Sequence, residues 1–112
     1  MDPVAPVQRQ LDAYNARDLD AFVAQYAQGV RLYRLPAMEP MLVGKAALAE
    51  FYANNRFNVS GLHAELLNRM VFGNKVIDHE LIAGLGSEPV NGAAIYEVRD
   101  GLIAVAWFIR AD

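Results

Sequence analysis

Cysteine is absent from the 112 residues, which excludes disulfide frameworks, thiolate zinc sites and thiol nucleophiles together. Positive charge is scarce as well. Ten Lys and Arg stand against 13 Asp and Glu, for a net charge of −3, and the basic residues are scattered, so the stripe that a phosphate backbone requires is missing and nucleic acid is not an expected partner. The longest uninterrupted apolar run, residues 102–109, is far short of a bilayer span. The start, MDPVAPVQ, carries an acid where a secretory leader carries bases. A cytoplasmic protein without a membrane segment is expected. No Gly-rich phosphate loop, Ser-His-Asp spacing or dinucleotide fingerprint occurs, and no cofactor is expected.

What is present is a somewhat apolar globular composition, 54% hydrophobic against 21% charged. It suits one domain over residues 1–112 that buries its own core, with some apolar surface left for a second subunit. Pro3 and Pro6 open a first helix whose stripe is Val4, Val7, Leu11 and Tyr14, with Gln10 beside it. The segment NARDLD breaks that helix and starts a second, with Asp18 as N-cap, Asp20 in the first turn and a stripe of Leu19, Phe22, Val23 and Tyr26. Gly29 is read as its stop, residues 30–35 as a short strand, and PAMEPMLVG as a loop forming a lip that packs against something. Gly44 then introduces a third helix, KAALAEFYAN, burying Leu48, Phe51 and Tyr52.

The remainder reads as four long antiparallel strands, GLHAELLNRMVFG, NKVIDHELIAGL, NGAAIYEV and LIAVAWFIR, forming one curled sheet. A two-residue Gly73-Asn74 loop pairs Phe72 with Lys75. One face then holds Arg69 opposite Asp78, Leu67 opposite Glu80, Val71 opposite Val76, and Ile82. The other face holds Leu62, Ala64, Leu66, Met70, Phe72, Ile77, Leu81 and Ala83, interrupted by Asn68 opposite His79, and His63 falls near Gly84. In the second hairpin a three-residue loop, Arg99 to Gly101, pairs Val98 with Leu102 and groups Tyr96, Ala94, Ala104, Ala106 and Phe108. A two-residue Asp-Gly loop would bring Trp107 to that face instead.

The stretches VQRQLDAYNARDLDAFVAQYA and VGKAALAEFYAN resemble the helical half of ketosteroid isomerases and their polyketide-cyclase-like relatives, and IYEVRDGLI resembles their penultimate hairpin. Over nearly its whole length the chain is similar to the nuclear transport factor 2-like superfamily, in its SnoaL-like and ketosteroid isomerase-like branch. The resemblance implies an α+β fold: a cone-shaped barrel, open at one end, in which three N-terminal helices pack on a curled, mainly antiparallel sheet. It also implies a largely apolar pocket for a small hydrophobic organic ligand, and a homodimer through the outer sheet face.

Carried across residue by residue, the isomerase's carboxylate base falls on Arg34, which cannot accept a proton. Its oxyanion tyrosine falls on Gln10 and its oxyanion aspartate on Ala94. Tyr14, Phe51, Tyr96 and Phe108 fall on pocket-lining positions, where core packing would equally place them. The resemblance turns Asp78, Glu80 and Ile82 toward the pocket, whereas hydrophobicity alone would turn in the face of Met70, Ile77 and Leu81.

Two residues apart on a strand, Asp78 and Glu80 lie roughly 7 Å apart on one face. Arg69 opposite the first predicts a split pair, with Asp78 ionised and Glu80 the more easily protonated acid or base. The competing account is a satisfied ion cluster at the rim or in an interface. His79, on the opposite strand face, is read as a hydrogen-bonded partner of Asn68, and no metal site is expected. Two functions are carried forward. One is an enzyme moving a proton on a small hydrophobic substrate through Asp78, Glu80 and Arg69, without the isomerase's own catalytic residues. The other is a non-catalytic ligand-binding or dimerisation module.

Overall fold

The computed structural model describes residues 2–111. Helix α1, Val4–Ala16, buries Val7, Gln10, Leu11 and Tyr14 along one stripe. It ends where Arg17 adopts a left-handed conformation and its N–H turns back to the Ala13 and Tyr14 carbonyls. Asp18 then caps α2, Leu19–Val23, by accepting the Ala21 N–H at 3.2 Å.

The second helix is shorter than its apolar spacing predicts. Strand β1 runs Tyr26–Arg34, so Tyr26 and Gly29 belong to a strand and not to a helix and its stop. The misleading signal has a physical basis, because the Phe22 and Tyr26 rings do touch, with centroids 5.0 Å apart, across a helix-to-strand junction. A single repeat of apolar spacing cannot distinguish that contact from another helical turn. The loop after β1 contains a short strand, β2 at Leu42–Val43, paired back onto Arg31 and Leu32. As a lip it packs only in part: Met41 turns inward against the core while Met38 is 93% exposed. Helix α3 spans Lys45–Asn55 and buries Leu48 and Tyr52.

Strands β3 (His63–Phe72), β4 (Lys75–Ala83), β5 (Val90–Arg99) and β6 (Leu102–Arg110) complete a six-stranded sheet in the order β2-β1-β6-β5-β4-β3. All pairs are antiparallel except β1 with β6. The sheet does not close, since β2 and β3 are edges. The cone is therefore a curled open sheet with the helices on one face, not a complete barrel.

Two bulges decide which side chains face the helices. Phe72 pairs with Lys75 and Arg69 with Asp78, but the register breaks at Leu67, so Glu80 lies opposite Leu66 instead of Leu67, and His63 opposite Ala83 instead of Gly84. One extra residue reverses the alternation beyond it. Ala64 and Leu66 therefore join the inner face and Leu67 is left exposed. The second hairpin has the two-residue Asp100-Gly101 loop, both residues at positive φ, pairing Arg99 with Leu102 instead of Val98 with Leu102. A further bulge leaves Ala104 unpaired and restores the alternation, so Phe108 still faces inward opposite Ala94, and Ala106 opposite Tyr96.

The inner face meets a cluster of rings from Tyr14, Phe22, Tyr26, Tyr52 and Phe57. Helix α1 is also tied to the sheet edge by Asn15, whose side chain accepts the Ala64 N–H at 2.8 Å and donates to its carbonyl at 3.0 Å, as a neighbouring strand would. Among the described residues no helix is long and apolar enough to cross a membrane.

After β4, Gly84 adopts φ +98°, and a Cβ there would lie 2.8 Å from Leu62 Cα. Replacing Gly84 with Ala combines an unfavourable φ with a backbone clash, and is expected to cost about 1–3 kcal/mol. The urea midpoint measures this, and an unshifted midpoint would show that the backbone around Leu62 yields without cost.

Candidate functional site

Between the helices and the inner sheet face lies a cavity of about 100 Å³. Gln10, Leu11 and Tyr14 of α1, Phe22 of α2, and Phe51, Tyr52 and Arg56 at α3 form its helical wall. The sheet contributes Arg34, Ala64, Glu80, Ile82, Ala94, Tyr96 and Phe108. Arg34 and Arg110 also border a shallow depression outside the cavity and mark its mouth.

Every residue assigned to the pocket from the sequence, Gln10, Tyr14, Arg34, Phe51, Ala94, Tyr96 and Phe108, borders this space. Tyr52, Arg56 and Met41 do so too and were missed. Tyr52 was legible only as a buried helix position, and Arg56 lay in what read as a connection. Nothing local in the sequence singles out either.

The group of Asp78, Glu80 and Arg69 is divided by the fold. Asp78 is wholly buried and held by both arms of the Arg69 guanidinium, Nε to Oδ1 at 2.7 Å and Nη2 to Oδ2 at 2.9 Å. Arg69 Nη1 donates to Gln8 Oε1 at 2.8 Å, fastening the pair to α1. Neither Asp78 nor Arg69 borders the cavity, whereas Glu80 does. Among the described residues no donor hydrogen-bonds the Glu80 carboxyl group. Burial pushes its pKa up to about 7, the neighbouring Asp78 charge pushes the same way, and Arg69 opposes both. The hydrogen bond to Asp78 raises the Arg69 pKa still further, so its charge is permanent.

A phenol chain crosses the back of the cavity. The Tyr26 hydroxyl donates to Gln10 Oε1 at 3.1 Å, and Gln10 Nε2 donates to the Tyr96 hydroxyl at 3.3 Å. Tyr26 is completely enclosed and needs the amide oxygen as acceptor. In that orientation the Tyr96 oxygen accepts from Gln10, so its own proton is not used in this bond. Burial raises the pKa of Tyr26, Tyr52 and Tyr96, and that of Tyr14 to about 12, with Arg56 opposing at Tyr14. All four phenols therefore stay protonated near neutral pH.

The histidines lie elsewhere. His79 is exposed, and its Nε2 lies 2.6 Å from Asn91 Oδ1 on β5, so its partner is not Asn68. Although Asn68 is its backbone neighbour on β3, the nearer amide comes from the other side. No group of three or more His, Asp or Glu side chains among the described residues could hold a metal ion.

This architecture is the nuclear transport factor 2-like fold. It is shared at a TM-score of 0.83 and 19% identity with a nuclear transport factor 2-like protein of unknown function from Burkholderia xenovorans, over 98% of this chain and 83% of that one. A candidate ketosteroid isomerase from Kribbella flavida superposes at 0.84 with 22% identity, covering 98% and 78%. A candidate polyketide cyclase from Sinorhizobium meliloti superposes at 0.80 with 20% identity, covering 96% and 99%. At these identities the likeness establishes the fold alone. The SnoaL-like domain family model matches residues 7–106, and the chain belongs to that family. No curated protein matches it.

Two stability measurements probe this electrostatic arrangement. Arg69→Met leaves the Asp78 charge buried without its partner and is expected to cost about 3–5 kcal/mol at pH 7. An unchanged denaturation midpoint would contradict the description of the pair. For Glu80 the folded state binds its proton more tightly, at about 7 against an ordinary 4.5. Stability therefore falls as pH rises from 4.5 to about 7 and stays lowered above it. Glu80→Gln is expected to stabilise the protein by up to about 3 kcal/mol at pH 8 and to give no gain below pH 4.5. A gain independent of pH would refute that origin.

Proposed function

We propose that the protein binds a small, largely apolar organic molecule and moves a proton on it, with Glu80 as the acid and base and Tyr96 as hydrogen-bond donor. The observation that carries this reading is the Glu80 carboxyl group, which faces an apolar cavity without a protein partner and has a pKa of about 7. A group at that pKa is divided between its two forms at neutral pH, which suits general acid and base chemistry. Arg69 and Asp78 act behind the wall. By pairing with each other they leave the Glu80 carboxyl group without a cationic partner.

In this mechanism the Glu80 carboxylate removes a proton from a carbon next to a carbonyl. The Tyr96 hydroxyl donates to the carbonyl oxygen as negative charge develops there, and protonated Glu80 returns its proton to the conjugated system. No cofactor enters the balance. Carried over by resemblance, the isomerase's base and oxyanion donors fall on Arg34, Gln10 and Ala94, so this assignment relocates the chemistry on the shared frame. A rigid apolar cavity of about 150 Å³ admits benzene. One of about 100 Å³ suits a body no larger than a single ring, not a steroid.

Ligand binding without turnover is the second reading, favoured by the same three positions, none of which supplies a base. Self-association through the outer sheet face also belongs to the proposal. There Met70, Phe72 and Ile109 are each more than 40% exposed, and sedimentation as a monomer at micromolar concentration would remove that part.

Deuterium exchange into phenylacetone, followed by NMR, tests the proton transfer. Wild type is expected to accelerate exchange with a rate rising through about pH 7. Glu80→Gln should lower the acceleration by about 10²–10⁴-fold, and Tyr96→Phe should lower it less. Exchange that survives Glu80→Gln at the wild-type rate would remove Glu80 as the base, and no acceleration by wild type would transfer the case to the binding reading.

A further inference from the structure

We infer that the natural ligand is an anion, a small oxocarboxylate whose charged head is held by Arg34 and Arg56 while its apolar, ketone-bearing body extends toward Glu80. The orientation rests on the role proposed for Glu80; the charge selection does not.

Three arginines, Arg34, Arg56 and Arg110, are among the residues that border the cavity, against Glu80 as its single acidic residue. The ion pairs among the described residues use Arg69, Lys75 and Arg99 as their cations, so the three cavity arginines are not neutralised by a carboxylate there. Uncompensated arginines in an otherwise apolar recess are a recognition element for a carboxylate, because the planar fork matches both of its oxygens.

Arg56 is held in place. Its guanidinium lies 5.1 Å from the centre of the Phe51 ring, Nη1 donates to the Asn55 carbonyl at 2.9 Å, and a side-chain hydrogen bond links it to the Tyr14 hydroxyl. Arg34 ends β1, where the strand pairs with Phe108, and its side chain makes no hydrogen bond among the described residues. Two phenols complete the cradle. Tyr14 and Tyr52 both border the cavity, and a side-chain hydrogen bond from Arg56 acts on the Tyr14 hydroxyl. Both guanidiniums act on the Tyr52 phenol, and Arg56 on Tyr14 as well, which puts the cations and hydroxyls within one electrostatic neighbourhood. A carboxylate accepts up to about four hydrogen bonds, and this group of donors can supply them. Ionised Glu80 would repel a second carboxylate, so the head stays at the arginines and the carbon chain meets Glu80.

Three probes with one ring and different charge test the inference: phenylacetate, phenylacetamide and phenethylamine, titrated into the whole protein at pH 8 by calorimetry and NMR. Phenylacetate is expected to bind about tenfold or more tightly than the amide, the contribution of one charge-assisted contact. Phenethylamine should bind more weakly than either. Arg34→Gln combined with Arg56→Gln should abolish the preference for phenylacetate while leaving amide affinity within about twofold. Arg34→Gln alone, at an exposed and unpaired site, should reduce it even if the double variant fails to fold. Equal binding of acid and amide, tighter binding of the amine, or no saturable binding of phenylacetate at millimolar concentration would each overturn the inference.

Glu80→Gln separates the two proposals. If it abolishes proton exchange but keeps the preference for phenylacetate, both stand. If exchange never occurs but the preference depends on the arginines, only the proton-transfer reading falls.

Discussion

The Asp78 carboxylate lies where no water reaches it, and its charge is tolerated there because Arg69 presents two parallel donors at hydrogen-bonding distance. A buried pair of this kind adds little net stability beyond offsetting its own desolvation, but losing either member is severe. It therefore acts as a constraint on geometry. Arg69 must oppose Asp78 across the β3–β4 ladder, and its remaining arm must find Gln8 on α1. The hairpin register and the seating of the first helix are thereby coupled. The bulge at Leu67 sits next to this pair and allows Leu66 to face inward beside Glu80 despite the alternation running out from Arg69.

From that constraint follows the asymmetry of the two carboxyl groups. They share a strand face by the two-residue repeat, yet one is consumed by its ion pair and the other borders an apolar space with nothing to accept from. Desolvation acts on Glu80 without a compensating donor, and the fixed charge of Asp78 adds to it. Burial acts on the phenols in the same direction, but from a higher starting value, so they stay protonated near neutral pH, and the Gln10 amide orients two of them. A recess with one titrating acid, protonated phenols and arginines at its edge is a different set of groups from a carboxylate base with an oxyanion pair. This agrees with a frame that hosts many unrelated sites.

Helices and strands were legible wherever two independent signals agreed. The third helix had Gly44 before it and a buried stripe, and its reading ends within a residue of the observed Asn55. The Gly73-Asn74 turn placed Arg69 opposite Asp78 correctly because turn chemistry fixes register over the first few pairs. Tyr26 was misplaced because one apolar repeat fits both a helix and a helix-to-strand contact. Leu67, Ala64 and Leu66 were misplaced because a bulge leaves no clear mark in composition and reverses every side chain beyond it. At the second hairpin the two-residue Asp-Gly turn, read as the alternative, and an unforeseen bulge cancelled, which is why Phe108 still faces Tyr96.

The sequence by itself determined the class of fold, the strand pairing near the Gly73-Asn74 turn, the absence of thiol chemistry and the presence of two acids and an arginine on one sheet face. Those properties depend on residue type and on spacing over a few positions. Only the tertiary structure decided that Asp78 is enclosed while Glu80 borders the cavity, that Tyr26, Gln10 and Tyr96 form a chain, and that Arg56 joins Arg34 in the wall. Each of these depends on distances between elements far apart in the chain and on how much water their packing excludes, and neither quantity is contained in local spacing.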